Sequence, residues 1–294
     1  MTSIEKIAPK HLRIILYGSN DLIDFKYRSI GQPVVVENVV GEGGNTASAE
    51  VARAAPDGRT LMIANPANVA INPALYPQPG FDVAKDFAPV ARLVITPLLA
   101  LIPASLSPQN MEEFITRLRT QKNLKYASGG TGNINHLAVE LFKLRTHTRL
   151  IHVPAKTSAL ALTELLEGRV QFMTDGGHVA GEHVRGGRLR ALAVFAPARL
   201  AALPDVPTAA EAGITDLAVS SWLGIVAPAR TPAATVAKLQ AAVSRTLADR
   251  AIADRLTAQG TLPAFATSED FASFLRDEHR RWADVGRTSG VKPE

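Results

Sequence analysis

The chain has 294 residues, 46% hydrophobic and 20% charged, a composition typical of globular proteins with enough apolar material for about two domains. The net charge is +5, but the basic residues are scattered and aromatic residues make up only 5%, which argues against a nucleic-acid-binding surface. Cysteine is absent, which excludes disulfides, thiolate metal sites and a cysteine nucleophile.

Segments typical of strands and helices alternate along the chain. Strands are predicted at 12–16, 33–38, 60–64, on either side of Pro97 within 90–102, and at 125–127, 149–153, 170–173 and 189–195. Helices are predicted at 46–55, 111–121, 134–144, 158–166 and 179–185, and through most of 232–259 and 268–285. Such alternation predicts an α/β fold with mainly parallel sheets, because parallel neighbours need a crossover helix.

The segment KYASGGTGNINHL, residues 125–137, runs from a predicted strand through a glycine loop into a predicted helix. Open backbone N–H groups before a helix N-terminus favour a bound carboxylate or phosphate, and Ser128, Thr131 and Asn133 add side-chain donors. A plain turn followed by a helix N-cap explains the same residues. The pattern by itself leaves both interpretations open, and it lacks the lysine of a nucleotide-binding loop.

Two other loops and one acidic residue occupy comparable positions. Residues 41–45, GEGGN, fail the dinucleotide pattern because Thr46 replaces the last glycine. Residues 65–68, NPAN, follow a strand and predict either a second ligand loop or local asparagine turns. Asp175 follows a strand, where it could contact a ligand or cap the next helix.

Enzymatic and metal-binding alternatives have weak support. The spacing of His178 and His183 puts them on different helix faces, so no metal site is predicted, and no cofactor motif is present. Hydrolysis by Ser128, His136 and Asp175 would rest on composition only, since no GxSxG surrounds the serine. A binding protein should have no nucleophile within hydrogen-bonding reach of a base.

Eight motifs in chain order resemble one family, the substrate-binding receptors of tripartite tricarboxylate transporters, also called Bug-type receptors. They are GQPVVVEN (31–38), ARAAPDG (52–58), INPALY (71–76), KDFAPV (85–90), YASGGTGNINHL (126–137), GRLRALAV (187–194), LPDVPTAAEAG (203–213) and SSWLGIVAPARTP (220–232). The matches run from about residue 31 to the C-terminus.

The resemblance implies a two-lobed α/β periplasmic binding protein of type II with two hinge crossings and no enzymatic activity. Lobe one is expected to comprise 1–103 and 225–294, and lobe two 104–224. A small mono- or dicarboxylate would bind in the interlobe cleft and pass to the transporter's membrane permease subunits, and the receptor is expected to be a monomer. Ligand contacts are expected at Tyr17, Gly18, Ser19, Asn65, Ala67, Asn68, Ser128, Gly129, Gly130, Thr131, Gly132, Asn133, Ala155 and Asp175.

Three segments differ from the family pattern. Residues 17–30 are shorter and poorer in glycine, 153–157 read VPAKT in place of a VPYKG-like element, and 174–178 read TDGGH. The altered segment 17–30 suggests a receptor-like sensor or adaptor with altered or lost ligand binding as an alternative function. The resemblance implies a periplasmic location, although MTSIEKIAPKHLRIILYG shows no basic region followed by an apolar core, so no signal peptide is visible.

Overall fold

A computed structural model describes residues 12–16, 34–39, 41–76 and 78–292. The chain divides into two compact units. Unit 1 comprises 1–94, 223–253 and 264–280, and unit 2 comprises 95–222, 254–263 and 281–294. The lobe boundaries expected at 103 and 225 stay a prediction, because packing density does not show which residues move together.

Ten strands and ten helices are present in the described ranges. The strands are β1 (Leu12–Leu16), β2 (Val34–Asn38), β3 (Thr60–Ala64), β4 (Phe87–Pro103), β5 (Lys125–Ser128), β6 (Ile151–Pro154), β7 (Phe172–Gly176), β8 (Leu189–Val194), β9 (Ser220–Pro228) and β10 (Leu262–Ala266). The helices are α1 (Asn45–Ala52), α2 (Asn72–Leu75), α3 (Val83–Asp86), α4 (Met111–Thr120), α5 (Ile134–Thr146), α6 (Ser158–Leu166), α7 (Gly177–Arg185), α8 (Ala233–Leu247), α9 (Arg250–Ala258) and α10 (Ser268–Ser289).

The sheet of unit 1 is built on β3, all five residues of which are buried. Strand β1 pairs in parallel with both β2 and β3, and β9 pairs with β3 in the antiparallel direction. A strand buried along its whole length favours apolar residues on both faces, which explains the apolar run 61–64 after Thr60.

The sheet of unit 2 brings three strand ends to one edge. Strand β5 lies between β6 and β7 and is parallel to both, whereas β4 pairs with β7 and β8 in the antiparallel direction. A cluster of buried side chains including Leu99, Leu101, Leu165 and Met173 forms the core of this unit. Because β5, β6 and β7 are parallel, the loops that follow them leave the sheet at the same edge.

The structure corrects two predictions about the elements and refines a third. Residues 87–103 form one strand instead of two, and the ladders to β7 and β8 begin after Pro97, at Leu98 and Leu99, so its missing N–H interrupts neither of them. The sheets are mixed instead of mainly parallel, since β4 and β9 run against their neighbours. The stretch 232–259 is helical as predicted and forms two helices, because the Asp249 carboxylate accepts a hydrogen bond from Ala251 N and starts α9.

Within the described ranges, no helix combines the length and the apolar character that crossing a bilayer requires.

Candidate functional site

The glycine loop, residues 129–132, leaves the carboxyl end of β5 and leads into α5. Gly130 has φ 134° and Gly132 φ 77°, backbone conformations that favour glycine over any residue with a Cβ atom. Asn133 is the N-cap of α5, and its Oδ1 accepts a hydrogen bond of 2.8 Å from His136 N. The predicted N-cap is confirmed. A cap satisfies only part of a helix N-terminus, so it leaves room for an anion at the same loop.

Polar atoms of α5 and α6 pack closely against one face of Gly129. A Cβ atom built on this glycine would lie 2.8 Å from both the backbone nitrogen and Oγ of Ser158, and 3.0 Å from Asn133 Nδ2. Asn135 Nδ2 donates to Ser158 Oγ at 3.4 Å, which joins the first turns of α5 and α6. Two positive helix ends and several N–H and O–H groups therefore lie together at the start of the glycine loop. We call Gly129, Asn133 and Ser158 the donor cluster.

The segment after β6 forms the other side of the glycine loop. Ala155 N donates to Ser128 O at 2.9 Å, continuing the pairing of β5 with β6. A Cβ atom on Gly130 would have Ala155 O at 3.8 Å as its nearest neighbour, so the space above Gly130 is open. Thr131 is half-buried in the same turn. The structure thus brings together the predicted residues 128–133 and Ala155.

The hydroxyl of Ser128 points into the unit. Ser128 has no exposed surface, and its Oγ lies 2.7 Å from His152 Nε2 and 3.0 Å from Gly130 O. The expectation that no nucleophile would lie within hydrogen-bonding reach of a base is therefore wrong, because Ser128 and His152 form such a pair. The pair cannot act on a substrate, however, because a hydroxyl with no accessible surface cannot reach one. Ser128 therefore stabilises the glycine loop through these interior hydrogen bonds.

Beneath the glycine loop lies a group of buried and half-buried polar side chains, which we call the histidine cluster: Tyr126, His136, Glu140, Lys143 and His152. The rings of His136 and His152 stack with centroids 3.9 Å apart, and Tyr126 stacks on His152 at 4.8 Å. Tyr126 Oη donates to Glu140 Oε1 at 2.5 Å, and Lys143 Nζ donates to the same carboxylate at 2.7 Å. The Glu140 carboxylate is thus hydrogen-bonded by Tyr126 and Lys143, and it does not need a protonated histidine as its partner.

Two ionisable groups in the histidine cluster have strongly displaced pKa values. Burial lowers the pKa of His136 to about 3, helped by electrostatic repulsion from His152 and Lys143. Its Nδ1 accepts a hydrogen bond of 3.0 Å from Gly132 N, which only an unprotonated nitrogen can do. Burial raises the pKa of Tyr126 well above its usual range, and the neighbouring Glu140 adds to this rise.

The pKa of His136 predicts a pH-dependent stability. The pKa of the His136 side chain is near 6.5 in the unfolded chain and about 3 in the folded chain. Between these two pH values the unfolded chain therefore binds one more proton than the folded chain. This lowers the free energy of unfolding by about 1.4 kcal/mol for each pH unit down to about 3. Urea unfolding at pH 7 and pH 5 should show a drop about 2 kcal/mol larger in the wild type than in His136→Asn. Equal drops would contradict this protonation account.

Asp175 lies at the end of β7, the strand next to β5. Its Oδ1 accepts a hydrogen bond of 2.7 Å from Gly176 N, and the side chain is buried. The predicted alternative, that Asp175 caps α7, is wrong: the N-cap is Gly176, which has no side chain to offer. Thr174 Oγ1 donates to Asn135 O at 3.0 Å, tying this strand end to the start of α5.

In unit 1, the predicted residues Asn65, Ala67 and Asn68 follow β3, at the start of a single π-helical turn over Ala67–Ile71. The two asparagines bond reciprocally, Asn65 N to Asn68 Oδ1 at 2.8 Å and Asn68 N to Asn65 Oδ1 at 3.1 Å. Asn68 Nδ2 also donates to Ile63 O at 3.0 Å. The asparagine turn predicted as an alternative is confirmed, and these side-chain atoms shape the loop. Tyr17, Gly18 and Ser19 lie outside the described residues.

Asn68→Ala should lower the free energy of unfolding by about 1–3 kcal/mol. The substitution removes the side-chain partners of Asn65 N and Ile63 O at a position with no exposed surface, where an unpaired backbone group is costly. The melting temperatures of Asn68→Ala and of Asn110→Ala are compared with that of the wild type. Asn110→Ala is the control, because it removes an N-cap hydrogen bond that is exposed to solvent. A melt of Asn68→Ala no lower than that of the wild type would contradict the reciprocal bonding.

Sequence reasoning missed Ser158, Asn135 and His152. The rule applied to the glycine loop, strand then loop then helix N-terminus, also fits β6 and α6 and could have identified Ser158. His152 has no local sequence signal, because its role depends on the pairing of β6 with β5. Among the described residues, no three histidine or acidic side chains are grouped in a way that could hold a metal ion.

Comparisons with known proteins agree on one family. Residues 22–291 match the tripartite tricarboxylate transporter family receptor. BugT of Bordetella pertussis is 33% identical over 266 residues, which cover 90% of this chain and 82% of that protein. Rpa4515 of R. palustris, solved with adipate, has a TM-score of 0.89 and 31% identity, covering 97% of this chain and 99% of its own. MatC from Rhodopseudomonas palustris, solved with bound malate, has a TM-score of 0.83 and 32% identity, with coverages of 95% and 99%.

These similarities confirm the predicted fold class, the mixed α/β fold of two-lobed periplasmic solute-binding proteins. They also settle the choice between a receptor and an enzyme, because the family and the solved neighbours are binding receptors without catalytic activity. The chain belongs to the tripartite tricarboxylate transporter receptor family, as a receptor of the Bug type.

Proposed function

We propose that this receptor captures a small organic carboxylate, a mono- or dicarboxylate, at the glycine loop of unit 2. The donor cluster carries the proposal: Ser158 N, Ser158 Oγ and Asn133 Nδ2 gather against the Gly129 backbone, next to the open space above Gly130. The ligands of the solved relatives, adipate for Rpa4515 and malate for MatC, belong to the same chemical class.

Neutral donors are sufficient for such a ligand. A hydrogen bond to a charged group contributes roughly 1.5–3 kcal/mol, and two helix N-termini add a favourable potential without the desolvation cost of burying an arginine. About 8 kcal/mol corresponds to a micromolar dissociation constant. Four or five such contacts therefore reach the affinity range of a useful transport receptor.

The remaining parts of the proposal, which concern the rest of the site, the transport partner, the location and the oligomeric state, are based on the family to which the chain belongs. The loop at Asn65, Ala67 and Asn68 and the segment at 17–19 are proposed to complete the site. Delivery to membrane permease subunits, a periplasmic location and a monomeric state are likewise proposed. The alternative of a sensor or adaptor depended on residues 17–30, which lie outside the described ranges.

A thermal-shift screen of C3 to C8 mono- and dicarboxylates tests the proposed ligand class. A ligand at 100 times its dissociation constant should stabilise the fold by about 2.7 kcal/mol. The dimethyl ester of the best diacid is the matched control, because it keeps the carbon skeleton and removes the charge. Stabilisation by the ester as large as by the acid, or by no carboxylate at all, would contradict the proposal.

A further inference from the structure

The glycine loop is tied to the interior of unit 2 at two points, and both ties end on a histidine. Gly132 N donates to His136 Nδ1 at 3.0 Å, and Ser128 Oγ lies 2.7 Å from His152 Nε2. The two imidazole rings stack with an interplanar angle of 10° and are only partly accessible or buried. The loop that presents the donor cluster therefore rests on a stacked histidine pair.

The bond from Gly132 fixes the protonation state of His136. Nδ1 accepts an N–H, so the single ring proton sits on Nε2, which lies 3.8 Å from Glu140 Oε1. The titratable groups facing His136 are Tyr126 from β5, His152 from β6, and Glu140 and Lys143 from its own helix. Tyr126 and Lys143 already donate hydrogen bonds to the Glu140 carboxylate. Glu140 therefore does not need a protonated His136 as its partner.

Loss of the acceptor would release the loop. A proton on His136 Nδ1 would point at the Gly132 N–H, so that two hydrogen-bond donors would face each other. The Gly132 amide would then have to turn away from the ring. Gly132 has φ 77° and precedes the N-cap Asn133, so a change in its orientation also displaces Asn133. Asn133 Nδ2 is one of the donors that converge on Gly129.

We propose that His136 is a positioning residue for anion binding, an uncharged acceptor that holds the Gly132 N–H inward and thereby fixes the donor cluster. The proposal rests on the proposed function, since it explains how the same loop keeps its donors aimed at a carboxylate. It also assigns the loop amides different roles: Gly132 N donates to His136 and Gly130 N donates to Ser128 Oγ at 3.3 Å, whereas the ligand is bound by the Gly129 and Ser158 amides.

Two substitutions of His136 separate positioning from packing. In His136→Asn the amide oxygen takes the place of Nδ1 and keeps an acceptor for Gly132 N. In His136→Gln the amide reaches the place of Nε2 and loses that acceptor, although glutamine is closer to histidine in volume. Positioning predicts that the asparagine variant stays within about threefold of wild-type carboxylate affinity and the glutamine variant loses at least about tenfold. The reverse order, which a packing role predicts, would overturn the proposal.

A second readout needs no ligand and separates failure of this inference from failure of the proposed function. Nitrogen-15 NMR of the wild type should show His136 as the Nε2–H tautomer without titration between pH 5 and pH 8. The Gly132 amide should exchange with solvent slowly in the wild type and His136→Asn, and at least about tenfold faster in His136→Gln. A titrating His136, the opposite tautomer or equal exchange in the three proteins would refute it, even if no carboxylate binds.

Discussion

Replacing Gly130 with aspartate is expected to reduce carboxylate affinity at least about 100-fold. The new side chain would enter the open space beside the donor cluster, where the nearest atom is Ala155 O at 3.8 Å from the Cβ position. Two negative charges about 5 Å apart repel by roughly 3 kcal/mol at an effective dielectric constant of about 20, and each 1.4 kcal/mol is a factor of ten. Isothermal titration with the best diacid measures the loss.

Gly130→Asn is the matched control for shape and backbone strain. Asparagine has nearly the size of aspartate and meets the same φ of 134°, so the difference between the variants isolates the charge. Gly187→Asp adds the same charge at a glycine with no heavy atom within 4 Å of its Cβ position, in the turn after α7. Equal affinities of the aspartate and asparagine variants at position 130 would show that no anion binds at this loop.

Gly129→Ala is expected to lower carboxylate affinity at least about tenfold. The added methyl group would lie 2.8 Å from the nitrogen and Oγ of Ser158 and 3.0 Å from Asn133 Nδ2, so these atoms would have to move away. It would push the starts of α5 and α6 apart and displace the donor cluster, with a cost to stability of about 1–3 kcal/mol from overpacking. Calorimetric titration and a thermal melt measure the two effects.

Gly181→Ala tests whether crowding alone has this effect. Its Cβ would meet the guanidinium of Arg185 at 3.2 Å, within α7 of the same unit and away from the donor cluster, and that flexible side chain can move. We expect a small change in melting temperature and no change in affinity. A folded Gly129→Ala protein with wild-type affinity would remove the donor cluster from the binding site.

Local sequence signals predicted the elements that build the site. Helix α6 was predicted with the bounds observed, because its apolar spacing begins after a good N-cap and ends at a glycine. The glycine loop was placed between a strand and a helix, as found, since positive φ values and an N-cap leave a clear mark in the sequence. By contrast, β9 and β10 were not predicted, because their strand character depends on partners distant in sequence.

The direction of side chains in the site could not be predicted from residue types. Ser128 and Asn68 look like ligand donors in the sequence, yet their polar atoms bond to His152 and to neighbouring backbone atoms. Ser158 and His152 reach the site because β6 pairs with β5, a contact between strands about 25 residues apart in the chain. Which donors remain for a ligand is decided by such pairings.

An NMR titration of backbone amides with a C4 to C6 dicarboxylate tests the central claim most directly. The account predicts saturable shifts of the Gly129 and Ser158 amides, a much smaller shift of Gly132, and none of these changes with the dimethyl ester. Saturable binding that leaves Gly129 and Ser158 unshifted, with the changes confined to other loops, would contradict the assignment of the glycine loop as the carboxylate site.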